Sequence, residues 1–395
     1  MLDQRLDGRE RRAPGVVAIV TDAVYPYLMG GKEVLYHHVT AGLAARGVEV
    51  HLYTMKWWDG PDDTMVDGVH YHALCKRYDL YTDTRRSIRE AVMFSLACMR
   101  LVFGRYDLIY ADHMPHLQLF SIRVVALVRR VPLVVAWHEV WGRDYWRQYL
   151  GRLGAIAAGV EHVTMRLGDH VVTPSEETAR KLREHGVRSE RVTVVPHGLD
   201  LAEIDAAPAA TDHYDFVFVG RLLEHKHAEM VVEGVAELRA RGLRSTCAIV
   251  GDGPERARIV ELASSLGVSE DVSMLDNMSE HAEIFGLMKS ATVVVLPSVR
   301  EGYGIVAAEA IACGTPVITT NHPDNHAQHL VADGVTGWLC EPTAEGVSDA
   351  MRDALAGGAA RRVPSVEARR RRDWDAAVES LIEVFARCTR NSRAR

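Results

Sequence analysis

Short apolar runs rich in β-branched residues recur along this chain, each followed by an amphipathic stretch of helical length, and the alternation occurs twice. The first series begins with a strand at Val16–Val20, a helix at Glu33–Arg46 behind Gly30-Gly31, and a strand at Val48–Tyr53. Strands at Leu108–Tyr110, Leu133–Trp137, His170–Thr173 and Val192–Val195 follow, with Ser175 placed to cap a helix. Over Leu201–Tyr214 the rhythm lapses, and Ala206-Ala-Pro-Ala-Ala210 reads as a linker. It resumes with a strand at Asp215–Gly220, a helix at Ala228–Arg241, and strands at Thr246–Val250, Val293–Leu296 and Pro316–Thr320. Strands apolar on both faces need cover on both sides, which predicts parallel sheets flanked by helices. Each series is long enough for its own doubly wound α/β sheet.

The expected division is a first Rossmann-like domain over 14–200, a linker over 201–213 and a second Rossmann-like domain over 214–374. An amphipathic terminal helix is expected over 375–390. The 395 residues exceed what one ordinary core accommodates. No stretch free of Asp, Glu, Lys and Arg is longer than the fourteen residues Ala310–Pro323, too short for a spanning helix. The six cysteines include no CxxC pair, which fits reduced thiols better than a disulfide framework or zinc site. Residues 1–200 carry 26 basic against 24 acidic residues, and 201–395 carry 20 against 29. That balance lacks the basic footprint of a nucleic-acid binder. The chain is therefore expected to be cytoplasmic, with peripheral contact at the inner face of a membrane left open by its mildly basic first half. Ala91–Phe103, apolar but short and broken by Arg100, reads as core rather than as a membrane anchor, and the basic run Arg369–Arg372 as a solvated helix face.

Three segments carry chemistry. Pro297-Ser-Val-Arg-Glu-Gly-Tyr-Gly-Ile305 follows a strand and opens a helix near Gly304. Gly302 and Gly304 let backbone N–H groups approach a ligand, and a helix N-terminus suits a diphosphate. Glu301 in the loop and Glu309 in the helix can both accept hydrogen bonds from sugar hydroxyls. In Gly220-Arg-Leu-Leu-Glu-His-Lys226, Arg221 and Lys226 place two cations on one loop, as a departing diphosphate requires. Gly30-Gly31 makes a tight strand-to-helix turn, though not GxGxxG. Alone, each segment is also compatible with an ordinary capping loop or surface turn.

Taken together and in this order, these segments resemble the GT-B glycosyltransferases, and within them glycosyltransferase family 4. The likeness spans nearly the whole chain. It includes Gly30-Gly-Lys-Glu33, Thr173–Leu182, Val195-Pro-His-Gly-Leu-Asp200 and the Gly220-Arg221/Lys226 loop. It continues through Glu301-Gly-Tyr-Gly-Ile305 with Glu309 and Ala312-Cys-Gly-Thr-Pro-Val317. The resemblance implies two Rossmann-like domains with parallel sheets facing a central cleft, the terminal helix returning to the first. It also implies a retaining transfer of a hexosyl group from a UDP- or GDP-hexose to a hydroxyl acceptor in glycan, glycolipid or specialised-metabolite biosynthesis. No cofactor and no metal ion are expected beyond the nucleotide-sugar co-substrate.

By the same resemblance, Gly30 and Gly31 touch the donor phosphate, and Arg221 and Lys226 grip the diphosphate. Glu301 holds hydroxyls of the transferred sugar, with Gly302, Tyr303, Gly304 and Ile305 around it, and Glu309 holds the ribose. His138, at the end of Val134-Val-Ala-Trp-His138, matches a histidine that positions the sugar near its anomeric carbon. Front-face attack, with the leaving phosphate oxygen taking the acceptor proton, and domain closure over the cleft are implied as well. Trp57 and Trp58 either stack on an acceptor sugar or ring or pack a loop, and Tyr78, Tyr81, Arg85, Arg86 and Arg89 either meet an anionic or lipid acceptor or lie on a solvated helix. Three positions depart from the family pattern: His197, His227 and Asp276-Asn277, the last leaving the base undecided. The competing readings are a catalytically silent nucleotide-sugar-binding or scaffold protein and a nucleotide-sugar epimerase of the same architecture.

Overall fold

The computed structural model describes residues 15–28, 30–82, 85–275, 278, 280–357 and 373–393, so Asp276-Asn277 and Arg369–Arg372 lie outside it. The chain divides into two units, Met1–Pro196 with Trp374–Arg395, and His197–Asp373.

In the first unit, strands β1 (Val16–Val20), β2 (Glu49–Lys56), β3 (Asp63–Val66) and β4 (Val69–Lys76) are followed by a small hairpin, β5 (Tyr81–Thr82) and β6 (Arg85–Arg86). Strands β7 (Leu108–Asp112), β8 (Leu133–Ala136), β9 (His170–Thr173) and β10 (Val192–Val194) complete it. Apart from the hairpin they form one sheet in the order β10-β9-β8-β7-β1-β2-β4-β3, parallel except for the β3–β4 edge. Every residue of β7, β8 and β9 is buried, as doubly covered strands require. The helices are α1 (Gly31–Ala45), α2 (Ile88–Ala97), α3 (Gln118–Arg129), α4 (Gly142–Leu150), α5 (Gly154–Thr164) and α6 (Glu176–Glu184). Ser175 caps α6 as expected, its hydroxyl accepting from Thr178 N at 3.2 Å.

The second unit opens with α7 (Leu201–Ala206). Strands β11 (Phe216–Val219), β12 (Cys247–Val250), β13 (Val272–Leu275), β14 (Val293–Leu296), β15 (Val317–Thr320) and β16 (Gly337–Cys340) form an all-parallel sheet in the order β13-β12-β11-β14-β15-β16. Helices α8 (Ala228–Ala240), α9 (Arg256–Ser265), α10 (His281–Ser290), α11 (Ile305–Cys313) and α12 (Ala344–Gly357) cover it. Last, α13 (Trp374–Arg393) belongs to the first unit. Its Phe385 meets Tyr110 with ring centroids 5.1 Å apart, and Trp374 stacks on His38 at 4.6 Å. Its close seat on α1 requires Gly42: a Cβ there would lie 2.7 Å from Val378 Cγ2.

Three readings change. Residues 201–206 form a helix within the stretch read as linker, because Asp200 caps it through Glu203 N at 2.9 Å and Ile204 is fully buried. Strands β3 and β4 were not legible: on β4 the polar His70 and His72 alternate with Val69 and Tyr71, the pattern of a strand covered on one face. In Ala91–Phe103, Phe94, Cys98 and Leu101 are core, yet Val92, Met93, Leu96, Met99 and Phe103 are exposed.

Candidate functional site

In an open parallel sheet, ligand-binding loops diverge where the strand order reverses. The second sheet reverses between β11 and β14, so the loops after these strands separate at one edge of the same crevice. Lys226 comes from the first loop and Glu301 from the second. Their side chains meet, Lys226 Nζ to Glu301 Oε1 at 2.5 Å, and Ser298 Oγ donates to the same oxygen at 2.8 Å. The backbone of Glu301 is clamped from the loop after β15: its N–H donates to Asp324 O at 3.0 Å, and its carbonyl accepts from His326 N at 3.0 Å. That neighbouring loop is itself fixed by buried Asn325, whose amide donates to Thr320 O at 2.8 Å. The carboxylate is therefore presented by a braced loop.

Gly304 starts α11 in the left-handed region at φ 86°, and a Cβ on it would lie 2.9 Å from Ala327 Cα. No side chain caps α11 at this residue, leaving its first turn with Ile305 as a terminus suited to an anion. Tyr303 is buried against His197, ring centroids 5.0 Å apart. Gly302 O lies 3.0 Å from His326 Nδ1. One turn into α11, the Glu309 carboxyl is pushed up to about 8, first by burial and then by the charge of Glu203 on α7. Arg221 is exposed just past β11. At the departure His227, φ is 51°, which explains a preference for glycine there.

The first sheet reverses between β1 and β7, and here the sequence reading missed a buried cluster of charges. Asp22 follows β1, Asp112 ends β7, and both side chains are fully buried. Lys32, one residue past Gly30-Gly31 in the first turn of α1, pairs with Asp22 and lies 3.1 Å from Asp112 Oδ2. Asp22 also pairs with Arg86, which reaches Glu90 at 3.3 Å. Burial is the largest single influence and raises both aspartates, but Lys32 together with Arg86 at Asp22, and Lys32 together with His113 and His138 at Asp112, more than offset it and hold both below the usual carboxylate range. Glu90 is pushed up to about 7 by burial and the charge of Asp22. The visible signal was positional: two aspartates at the ends of the strands that flank the reversal, and a lysine behind a Gly-Gly turn.

His138 joins this group, its Nε2 3.6 Å from Asp112 Oδ1. Burial pushes its imidazole down to about 4 against the opposing pull of Asp112, so it is neutral at pH 7. Gly30 and Gly31 start α1 with no side-chain cap. Of the two readings of Trp57 and Trp58, packing and stacking on an acceptor, the structure shows packing, since both are buried. Their indole N–H groups donate to Asp22 O at 2.9 Å and Pro61 O at 2.8 Å, so both serve packing and offer no open stacking face. In place of a solvated helix, Tyr81–Thr82 and Arg85–Arg86 pair as β5 and β6, and Arg86 turns inward to Asp22. Among the described residues, Asp112–His113–His138 and Glu49–His51–His70 have spacings that suit a metal ion. In the first group, Lys32 already supplies positive charge to Asp112.

Two Rossmann-like domains built on parallel sheets, with charged side chains gathered at the reversal points, place the chain in the GT-B class of α/β protein. Comparison with known sequences gives the family. "Glycosyltransferase Family 4" matches residues 29–203 and "Glycosyl transferases group 1" matches 202–371. A D-inositol 3-phosphate glycosyltransferase of Catenulispora acidiphila is 31% identical, over 74% of this chain and 75% of its own. The chain belongs to the group 1, family 4 glycosyltransferases. Among solved structures, sucrose-phosphate synthase from Thermosynechococcus elongatus matches with TM-score 0.77 at 21% identity, covering 94% of this chain and 98% of that one. The HepE protein of Anabaena in complex with UDP-glucose matches with TM-score 0.69 at 17% identity, covering 94% and 99%. Among the described residues no helix is long and apolar enough to cross a membrane.

Proposed function

We propose that this glycosyltransferase transfers a hexosyl group, with retention and without a metal ion, from a UDP- or GDP-hexose to a hydroxyl acceptor. The observation that carries the proposal is the Lys226–Glu301 pair, 2.5 Å apart at the reversal point of the second sheet. When a donor binds, Lys226 exchanges part of its contact with Glu301 for the diphosphate, and Arg221 and the first turn of α11 add positive potential. Glu301, held by Ser298 and its braced loop, accepts from hydroxyls of the transferred sugar. Glu309 bonds the ribose. The neutral imidazole of His138 serves as a hydrogen-bonding group toward the sugar, not as a cation.

In the reaction, the bond between the anomeric carbon and the phosphate oxygen breaks. A bond from the acceptor oxygen to that carbon forms, and the acceptor proton passes to the departing phosphate oxygen. The transition state is oxocarbenium-like, as in other glycosyl chemistry. Protein cations and a helix terminus take the electrostatic part a metal ion plays elsewhere. The UDP-glucose complex of the HepE protein supports a UDP-sugar donor.

The test is a thermal-shift and hydrolysis screen of UDP-, GDP-, ADP- and dTDP-sugars, with and without EDTA. One donor is expected to stabilise the protein equally in both conditions. Loss of the effect in EDTA would overturn metal independence. Glu301→Ala and Lys226→Ala should each lower turnover at least about a hundredfold, about 2.7 kcal/mol of transition-state stabilisation. Wild-type rates from folded variants would overturn the site.

A further inference from the structure

Helix α2 and the turn of 3₁₀ helix that extends it to Phe103 are apolar on the outside as well as the inside. Phe94, Cys98 and Leu101 face the core with no exposure. Ile88, Val92, Leu96, Met99 and Phe103, spaced four, four, three and four residues apart, form a second stripe on the opposite side. Leu96 is 61% exposed and Phe103 86%. The neighbouring α3 repeats the pattern. Leu119, Ile122, Val125 and Ala126 are buried, while Phe120, Val124, Leu127 and Val128 point outward, the last two 60% and 64% exposed. The helices are held side by side, Ser95 Oγ donating to Leu117 O at 2.7 Å and lying 3.3 Å from Ser121 Oγ. The two outward stripes therefore lie on adjacent helices of one face.

Scattered exposed apolar residues are ordinary, but contiguous stripes on two packed helices mark an interaction surface. Charge selects the occupant. Residues 91–106 and 113–138 contain no Asp or Glu, and their charged residues are all arginines. Arg105, Arg129 and Arg130 are exposed around the stripes, Arg130 in the left-handed conformation that ends α3 at φ 56°. An apolar face rimmed by cations of one sign is complementary to an anionic lipid surface, into which amphipathic helices sink their apolar sides.

We infer that the α2–α3 face docks the protein on anionic membrane. The first unit rests on the lipid through Leu96, Phe103, Leu127 and Val128, and the arginines meet the headgroup phosphates. The full chain does not cross the bilayer through this face, because the stripes lie on the surfaces of helices whose other sides are core.

Flotation with vesicles tests this. Wild-type protein should float with vesicles of equal parts phosphatidylglycerol and phosphatidylcholine, and stay behind with phosphatidylcholine alone. Binding should weaken as salt rises. Phe103→Ser combined with Leu127→Ser should abolish flotation at every salt concentration. Arg105→Gln, Arg129→Gln and Arg130→Asn together should weaken it about a hundredfold, since each surface cation contributes about fivefold. All substituted positions are exposed, and unchanged thermal unfolding of both variants would show that the fold is kept. Absence of flotation, or flotation that neither variant reduces, overturns the proposal. So does a dimer in sedimentation that the Phe103/Leu127 variant dissociates while vesicles bind nothing. In that case the face joins two copies of the chain.

Discussion

Lys32→Met removes the one cation that bridges Asp22 and Asp112. Both carboxylates have fully buried side chains, and in the variant Asp112 loses the ammonium 3.1 Å away while Asp22 keeps Arg86. At an effective dielectric of about 20, a unit pair at that distance is worth about 5 kcal/mol. The desolvation of Lys32 offsets part of this, and breaking one half of a buried pair costs about 3–5 kcal/mol in practice. We expect a loss of about 4 kcal/mol at about pH 8, which for a urea slope near 3 kcal/mol/M moves the midpoint by about 1.3 M. Tryptophan fluorescence is the readout, because Trp57, Trp58, Trp137, Trp141, Trp146 and Trp374 all lie in the first unit.

The pH dependence gives the experiment a second sign. In the wild type both aspartates are held low, so their contribution is present above the ordinary carboxylate range and is lost only as pH falls below it toward their lowered folded-state values. In the variant, burial no longer has Lys32 to oppose it, and the carboxylates take up protons at higher pH. The gap between the proteins should therefore narrow on going from about pH 8 to about pH 5. Equal midpoints at the higher pH, or a gap that does not narrow, would refute the reasoning.

For His138, held down to about 4 chiefly by burial, turnover should stay flat through the ordinary imidazole range and decline only toward more acid pH. A limb near pH 6.5 in the rate profile that His138→Gln removes would contradict this. Its effect on stability has the matching sign: the contribution is complete above the unfolded value and is lost as pH falls toward 4. Gly42→Ala places a methyl 2.7 Å from Val378 Cγ2, with Cγ1 and Cβ of the same β-branched side chain at 3.4 and 3.5 Å. Rotating Val378 brings no relief, so strain of about 1–3 kcal/mol should exceed the helix-propensity gain of about 1 kcal/mol. A more stable Gly42→Ala protein in urea unfolding would show that α1 and α13 separate freely.

The two-sheet architecture was legible because it rests on local pattern. Runs such as Val293–Leu296 are apolar on every residue, which only a doubly covered strand satisfies, and glycines such as Gly304 mark backbone that other residues strain to adopt. The candidate loops of the second unit could be located for the same reason: Arg221, Lys226 and Glu301 follow β11 and β14, the strands that flank the reversal of the sheet. Sequence order cannot say which charges meet. Asp22, Lys32, Arg86 and Asp112 converge because β1 and β7 lie side by side and α1 and the hairpin fold back over them, bringing together residues up to 90 positions apart.

Burial was decided in the same way. Trp57 and Trp58 look like a stacking pair until Asp22 O and Pro61 O take up their N–H groups. Ala91–Phe103 looks like core until α3 covers only one side of it. The chain by itself determined the class of fold and where its strand-to-helix loops fall, since strand composition and turn glycines act over a few residues. The charge network of the first unit, the neutral state of His138 and the open α2–α3 face were settled by tertiary structure alone. Pairing energies and solvent exposure depend on neighbours that the sequence does not place next to one another.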